Sequence, residues 1–376
     1  MTRNETTRHL HSAKKAKNDE FYTQLSDIEK ELKNYKRSFK GKIVLCNCDD
    51  PRVSNFFHYF SYNFEKLGLK KLISTCYKNQ DRDLFSRNDS EQAIYLIYEG
   101  DKNNNNIPDP DEIGIQFFKG DGDFRSDEAI ELLKQADIVV TNPPFSLFRE
   151  YVTQLVDYKK QFLIIGNLNA MKYGEIYPYF QANKIWFGAT MFNGGAAFFM
   201  GSPDLYDPKK MSNPKNAYIK DNKLYWRVNG VRWFTNLDHN KRHEELVLYK
   251  TYSSNDYLNY DNYDAIEVSK VVEIPKDFKG VMGVPISFMD KYNPDQFDIV
   301  GLSMKAGFGL ESNKFYDSYK EVKQDGTPTG SSGKKTNGNP MLVGKPKKGN
   351  YYLDEYGNAA YSLYDRLFVV NKTLQH

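Results

Sequence analysis

The sequence predicts an α/β protein built on a mostly parallel sheet, with a smaller mixed region after it. Three observations carry that prediction. Short apolar runs alternate with helical segments over the first 200 residues. A stiff Asn142-Pro143-Pro144-Phe145 turn follows directly on one of those runs. Beyond residue 200 the chain becomes rich in Asn, Asp, Tyr and Lys, with few regular periods. A length of 376 residues suits one large domain or two ordinary ones. The division is expected near residue 200, giving regions 1–200 and 201–376.

The elements follow in order. The first 18 residues are polar and basic, with Arg3, Arg8, Lys14, Lys15 and Lys17 against Glu5. They read as a solvated tail or as an arm that touches phosphate. Ser26 and Glu29 form a capping-box pattern ahead of Ile28, Leu32 and Tyr35 at helical spacing, with a stop near Gly41. Residues 42–47 read as a buried strand, 56–68 as a helix ended by Gly68, and 70–77 as a second strand. The runs 93–99 and 112–118 flank DKNNNNIPDPD, read as an irregular excursion around a third strand. Residues 126–136 read as helix with Ser126 as N-cap. Runs 137–142, 161–167, 184–188 and 196–201 supply further strands. Five to seven strands with helices between them imply a sheet covered on both faces. Later, VMGVPISFM, FDIVGLS and DRLFVVNK read as strands, and residues 322–350 as a long flexible loop. Over 320–350 seven Lys face Glu321 and Asp325, a local excess of five positive charges.

Composition excludes several classes. Lys and Arg total 52 and Asp and Glu 49, so a net charge of +3 does not by itself announce a nucleic-acid binder. Mean hydropathy is −0.70 and no run approaches 18 apolar residues, which argues against a membrane span. The N-terminal residues lack the apolar core of a signal peptide. Three Cys (Cys46, Cys48 and Cys76) are too few for a disulfide scaffold and fit a reducing cytosol. Aromatic residues reach 15%, which serves core packing and is also compatible with base stacking.

The sharpest chemical element is Asn142–Phe145. In an open α/β sheet, chemistry gathers at the carboxyl ends of strands. Two consecutive prolines fix φ, remove two backbone donors and hold the segment extended. Carbonyl oxygens and the Asn142 carboxamide become fixed acceptors beside an aromatic ring. Such a device suits a planar group bearing an exocyclic amine; a rigid turn with Phe145 in the core is the alternative. Cys46-x-Cys48 lacks a second pair, and His239 and His243 within HNKRH read as a solvated or phosphate-facing turn, so no metal site is expected. Arg227 and Arg232 flank Trp226 and Trp233 in YWRVNGVRWF, which reads as a half-buried hairpin or a cation–aromatic contact for nucleic acid. The lysines of the basic stretch read as phosphate contacts or as a solvated loop.

Several linked segments resemble one known family. KNDEFYTQLSDIEKEL, FKGKIVLCNCDDPRVSNFFHYF and GDGDFRSDEAIELLKQADIVVTNPPFSLFREYV are similar, in order and spacing, to the EcoRI-type adenine-specific DNA methyltransferases. GVPISFMDKYNPDQFDIVG and LYDRLFVVNK look like its distal segments. The resemblance implies a Rossmann-like methyltransferase fold with a mostly parallel seven-stranded sheet. It implies catalysis by region 1–200 using S-adenosyl-L-methionine, and target recognition by region 201–376. Asn142, Pro143, Pro144 and Phe145 match the target-base clamp. Phe21, Tyr22 and Thr23 would line the methionine end of the cofactor, Asn47, Asp49 and Asp50 the loop after the first strand, and Asp123 with Phe124 the cofactor adenine. That first-strand loop lacks the Gly-rich turn of most methyltransferases. No acid marks the ribose site after the second strand, although Asp81 and Asp83 are nearby. DNA contacts are expected from Lys334, Lys335, Lys345, Lys347, Lys348, Arg227 and Arg232. The expected partner is double-stranded DNA, with a monomeric cytoplasmic enzyme acting alongside a restriction endonuclease or alone. RNA or protein-glutamine methylation, or an inactive DNA-binding relative, are the competing readings.

Overall fold

Runs of three or four consecutive buried apolar residues mark strands of a sheet covered on both faces, and Ile138–Val140 and Phe162–Ile165 set the centre of this fold. The computed structural model describes residues 22–48, 54–77, 93–105, 108, 112–192, 195–201, 203, 214–303 and 307–375. The chain divides into two compact units, residues 1–176 with 185–240, and 177–184 with 241–376.

The first unit runs β1 (Tyr22–Thr23), α1 (Leu25–Leu32), β2 (Ile43–Cys46), α2 (Asn55–Tyr62), α3 (Phe64–Leu67), β3 (Lys71–Cys76), β4 (Ile94–Tyr98) and β5 (Gly114–Phe117). It continues with α4 (Asp127–Gln135), β6 (Ile138–Thr141), α5 (Phe148–Asp157), β7 (Gln161–Asn167), β8 (Trp186–Met191), β9 (Ala196–Gly201), β10 (Ala217–Lys220), β11 (Lys223–Val228) and β12 (Val231–Thr235). Eight strands form one sheet in the order β5-β4-β3-β2-β6-β7-β12-β8. The β3–β2, β2–β6 and β6–β7 pairs are parallel. The β3–β4, β4–β5, β7–β12 and β12–β8 pairs are antiparallel.

The expectation of a mostly parallel seven-stranded sheet is therefore corrected to an eight-stranded mixed sheet, four of whose seven pairings are antiparallel among the described residues. The parallel order survives only where helices make the crossovers. The runs at 93–99 and 112–118 close on each other as an antiparallel hairpin, and β12 enters antiparallel between β7 and β8. A run's apolar pattern reports burial and carries no direction, so these reversals were not readable in it.

A second sheet, β1-β9-β11-β10, is antiparallel throughout. It separates two runs expected to pair as a hairpin: β11 belongs to this sheet and β12 to the large one, with Asn229 and Gly230 between them. Trp233 on β12 is buried and stacks on Phe192, while Trp226 on β11 is half-buried.

The helices are placed by local chemistry. Ser54 and Ser126 cap α2 and α4, accepting from the Phe57 and Ala129 amides at 3.5 and 3.3 Å. Ser26 does not cap α1, contrary to the pattern in the sequence. The first turn instead closes on the Gln24 carbonyl, which accepts from the Asp27 and Ile28 amides, and Ser26 already lies inside the helix. The helix ends at Leu32, short of Gly41. Ile28, Leu32 and Tyr35 all enter the core. Glu31, fully buried on α1, accepts from Tyr35 Oη and from the Ala189 and Thr190 amides, each at 2.7 Å. Burial raises its carboxyl pKa, opposed by those hydrogen bonds. The approach needs Gly188, where a Cβ would lie 2.3 Å from Glu31 Oε1.

The second unit contains α6 (Tyr177–Gln181), β13 (Ile266–Glu267), β14 (Met282–Pro285), β15 (Phe297–Leu302), β16 (Lys320–Val322), β17 (Pro328–Ser332), β18 (Met341–Val343), β19 (Tyr351–Leu353), β20 (Ala359–Ser362) and β21 (Arg366–Asn371). They form sheets ordered β13-β14-β21-β15 and β17-β16-β19-β20-β18. Tyr177 of α6 packs edge-on against Phe308 with ring centroids 5.1 Å apart. Arg366 is buried against Glu267 through two hydrogen bonds of 2.8 and 3.0 Å, and Tyr260 also donates to Glu267. Residues 322–350, read from sequence as a flexible loop, contain β17 and β18 and a 3-10 turn at Gly333–Thr336. Buried Val322, Met341 and Leu342 anchor the stretch. The Pro-Thr-Gly-Ser-Ser of β17 lacks the apolar period that would have marked a strand.

Candidate active site

Chain reversal in the sheet creates the site. From β2 the chain crosses to β3 on one side; from β6 it crosses through α5 to β7 on the other. The carboxyl ends of β2 and β6 thus border the crevice at which the strand order reverses, the place where open α/β sheets bind ligands. Asn47 directly follows β2 and Asn142 directly follows β6. Thr141 Oγ1 donates to the Asn47 carbonyl and ties the two strand ends together.

Asn142 is only 3% exposed, and Pro143 and Pro144 are buried beside it. Pro144 sits at φ −56° and ψ 124°, so the segment leaves β6 extended before turning into the 3-10 turn Phe145–Leu147 and then α5. Phe145 is half-buried and packs against the core of the first unit from its rim. Tyr151, one turn into α5, is fully buried and donates to Asn47 Oδ1. Burial is the main cause of a phenol pKa well above the ordinary value, so this hydroxyl stays a donor. The Asn47 side chain is thereby held by the helix that begins at the Asn-Pro-Pro-Phe segment.

Around the crevice the other expected residues are distributed as follows. Thr23 lies on β1 and is 3% exposed; its Oγ1 is buried and has no hydrogen-bond partner. Its carbonyl accepts from Asn55 Nδ2 at 2.7 Å, which joins β1 to the first residue of α2. Tyr22 pairs with Phe199 of β9. Ser74 Oγ, on β3, is a second buried hydroxyl oxygen with no hydrogen-bond partner. Asp123 accepts from Arg125 through both carboxylate oxygens, from Nε at 2.9 Å and Nη2 at 2.7 Å. Arg125 also reaches Glu150 at 2.7 Å, and its pKa rises chiefly through the hydrogen bonds to Asp123. Phe124 packs edge-on against Tyr151 at 5.0 Å, and its carbonyl accepts from Gln154 Nε2 at 3.1 Å. Phe21, Asp49, Asp50, Asp81 and Asp83 lie outside the described residues, as does the basic N-terminal segment.

Buried hydroxyl oxygens without partners on β1 and on β3, where Ser74 pairs with the last residue of β2, together with the proline-fixed acceptor loop after β6, fit a polar ligand such as S-adenosylmethionine. Tyr151, Arg125, Thr141 and Ser74 are site residues that sequence reasoning did not single out. Tyr151 lies inside one of the segments that carried the family resemblance, and nothing in its local spacing announced the partner.

The expected DNA-contacting residues are divided between the two units. Arg227 is exposed on β11, its guanidinium 5.2 Å from the centre of the Tyr218 ring. Arg232, on the other sheet, is half-buried and donates to its neighbour's carbonyl, Val231 O, at 2.8 Å. In the second unit Lys334, Lys347 and Lys348 are exposed. Lys335 is paired with Glu321 at 3.0 Å, and Lys345 lies over the Tyr351 ring at 5.1 Å. A hydrogen bond from Thr329 is the first cause, and Lys335 a further one, holding the Glu321 carboxyl down at about 2. His239, expected in a solvated turn, is instead buried with Nε2 2.9 Å from the Phe187 carbonyl. Arg242 of the same HNKRH segment is buried against Asn183 in the second unit. His239 also packs edge-on against the Tyr35 ring at 5.7 Å, a tertiary contact that five polar letters do not announce.

Among the described residues no group of three or more His, Cys, Asp or Glu is placed to hold a metal, and no helix is long and apolar enough to cross a membrane.

A mixed α/β sheet with an acceptor loop at its reversal point defines the methyltransferase-like class of proteins. Within that class, the chain matches the family described as adenine-specific methyltransferase EcoRI over residues 9–345, and it belongs to that family of S-adenosylmethionine-dependent DNA methyltransferases. It is 48% identical over 306 residues to the type II methyltransferase M.EcoRI of Escherichia coli, covering 80% of this chain and 90% of that protein. It is 43% identical over 298 residues to M.MgeORF184P of Mycoplasma genitalium, covering 78% of this chain and 85% of that protein. It is 42% identical over 295 residues to M.MpnI of Mycoplasma pneumoniae, with the same coverage. No solved structure matches the chain.

Proposed function

We propose that this enzyme methylates the N6 amine of adenine at a specific site in duplex DNA, with Asn142–Phe145 as the clamp on the target base. The observation that carries the reading is the position of Asn142: buried, fixed by two prolines, at the carboxyl end of β6 and across the strand reversal from Asn47. The target adenine leaves the duplex to reach such a crevice, at a cost of a few kcal/mol. Asn142 Oδ1 and the Pro143 carbonyl accept the two N6 hydrogens, while Phe145 stacks on the ring. Holding both hydrogens in this way draws the nitrogen lone pair out of conjugation with the ring. Bound in the adjoining crevice, S-adenosylmethionine supplies an electrophilic methyl group. Thr23, Asn47 and the Asp123–Phe124 turn would hold it; Asp123 Oδ1 already accepts from both the Arg125 amide and Nε, whereas Oδ2 keeps a second lone pair beyond its Arg125 contact. Asp49, Asp50 and Phe21 belong to the same assignment by sequence. Rate enhancement comes from alignment and fixed dipoles, and the cysteines have no covalent role.

The second unit and the exposed lysines supply DNA contact in this reading. The enzyme acts as a monomer in the cytoplasm, within a restriction–modification pair that needs no stable complex with an endonuclease, or as a solitary modification enzyme. The test is incubation with unmethylated genomic DNA and methyl-labelled S-adenosylmethionine, followed by digestion and nucleoside identification. N6-methyladenine is expected from the wild type, and a fall in kcat of about 10²–10³ from Asn142→Ala. Another methylated nucleoside, or an unaltered Asn142→Ala rate, would overturn the assignment.

A further inference from the structure

The hairpin joining β4 to β5 carries Asp101-Lys102-Asn103-Asn104-Asn105-Asn106-Ile107-Pro108-Asp109-Pro110-Asp111-Glu112. Counted from Asp101, oxygen-bearing side chains fall at positions one, three, five, nine and twelve. That is the spacing of the twelve-residue calcium loop, D-x-[DN]-x-[DN]-G-x₅-E, with Asn106 in the glycine position. Asparagine is the side chain that best tolerates the left-handed backbone for which glycine is otherwise used. A hairpin turn needs Asn, Asp and Pro only to bend the chain; it does not need a carboxylate at the twelfth position in phase with the other three.

The geometry agrees with the spacing. Glu112 is 9% exposed in a surface hairpin, and its Oε1 accepts from the Lys102 amide at 2.6 Å and the Asn103 amide at 3.1 Å. The twelfth residue is therefore folded back onto the start of the loop. The Asn105 amide lies within reach of both Asp101 Oδ1 at 3.3 Å and Asn103 Oδ1 at 3.0 Å. Three side-chain acceptors, two carboxylates and one carboxamide, thus face one short stretch of backbone, and Asn105 lies within that stretch. Carboxamides count as calcium ligands although they carry no charge, and they escape any search confined to titratable groups. Asp101, Asp109, Asp111 and Glu112 against Lys102 leave the twelve residues with three excess negative charges, which a divalent cation would offset.

We propose that Asp101, Asn103, Asn105 and Glu112 bind a calcium ion. Asp109, at position nine, lies outside the described residues. Oxygen-only donors that include uncharged carboxamides favour calcium, which takes six to eight ligands at variable angles, over magnesium, which demands a small octahedron. The ion would cross-link the two ends of the β4–β5 hairpin. That hairpin has reason to need a clasp. All four residues of β5 are exposed, Ile115 and Phe117 among them, and its sheet contact is to β4 alone. The proposal is independent of the methyl-transfer reading.

The test uses the full-length protein, stripped with a chelator, titrated with calcium chloride by calorimetry and with terbium by luminescence. One ion per chain is expected, with a dissociation constant of about 10⁻⁵–10⁻³ M, since only part of the ligand set is charged. Asp101→Ala should weaken binding at least tenfold and abolish the rise in melting temperature that calcium gives the wild type. Asn105→Asp, at an exposed position, adds a charged ligand and should tighten binding about tenfold. It decides the matter even where Asp101→Ala fails to fold. No heat and no luminescence at millimolar ion, unchanged affinity in Asn105→Asp, or magnesium competing at parity would each overturn the assignment.

Discussion

Thr23 and Asn47 illustrate how single side chains are committed in this fold. Asn47 has its carboxamide oxygen engaged by Tyr151, whereas Thr23 Oγ1 is buried with nothing to bond. A buried hydroxyl left in that state costs stability that a ligand can return. Thr23→Val should therefore leave the fold intact, within about 0.5 kcal/mol by denaturant unfolding, or stabilise it slightly. The same change should weaken S-adenosylmethionine binding by about three- to tenfold in calorimetry, the worth of one hydrogen bond. Unaltered cofactor affinity would remove Thr23 from the cofactor site. At this scale the sequence was informative where a residue carries its own chemistry, as Asn142 does between its strand and two prolines. It was silent where the chemistry is relational. Tyr151 finds its partner 104 residues away, and the Arg125 fork on Asp123 is visible only once a turn has folded.

Among the elements, the seating of α5 matters most, because its first residue, Phe148, follows the proposed clamp after a single 3-10 turn. Phe148 lies over Gly166 of β7, where a Cβ would come within 2.4 Å of the Phe148 ring and 3.0 Å of Phe234. Gly166→Ala should force Phe148 outward and cost about 1–3 kcal/mol in urea unfolding. Displacement of Phe148 also moves Phe145, so kcat should fall more than cofactor affinity; an equal fall in both would place the effect elsewhere. Apart from β1 and β10, which no apolar run marked, the positions of the strands in the first unit were legible to within a few residues. Their directions were not, since a buried run looks the same whichever way it points, and the antiparallel flanks were missed for that reason. The same limit separates Ser126, which caps its helix as its position foretold, from Ser26, whose pattern was equally good and whose place was taken by the Gln24 carbonyl.

For the molecule as a whole, a net charge of +3 hides an uneven distribution, with a local excess of five over residues 320–350. Part of that excess is spoken for: Lys335 pairs with Glu321 and Lys345 covers Tyr351. Lys334, Lys347 and Lys348 remain exposed on the turns that connect the strands of the second unit. Replacing these three with Ala should weaken binding to any duplex sequence alike. It should also reduce the slope of log affinity against log salt by about 2.7 if each meets one phosphate. Filter binding or anisotropy over a salt series measures it, and an unchanged slope would take them out of the interface.

The second unit takes residues 177–184 from the middle of the first, with Tyr177 and Phe180 buried. The chain therefore passes between the units three times. A gene recombined at one junction, anywhere after residue 184, would combine a second unit from one parent with its helix from the other. Related genes could not exchange that unit as a cassette; new properties of it would have to arise by substitution within it, residue by residue, under the constraint that α6 still fits.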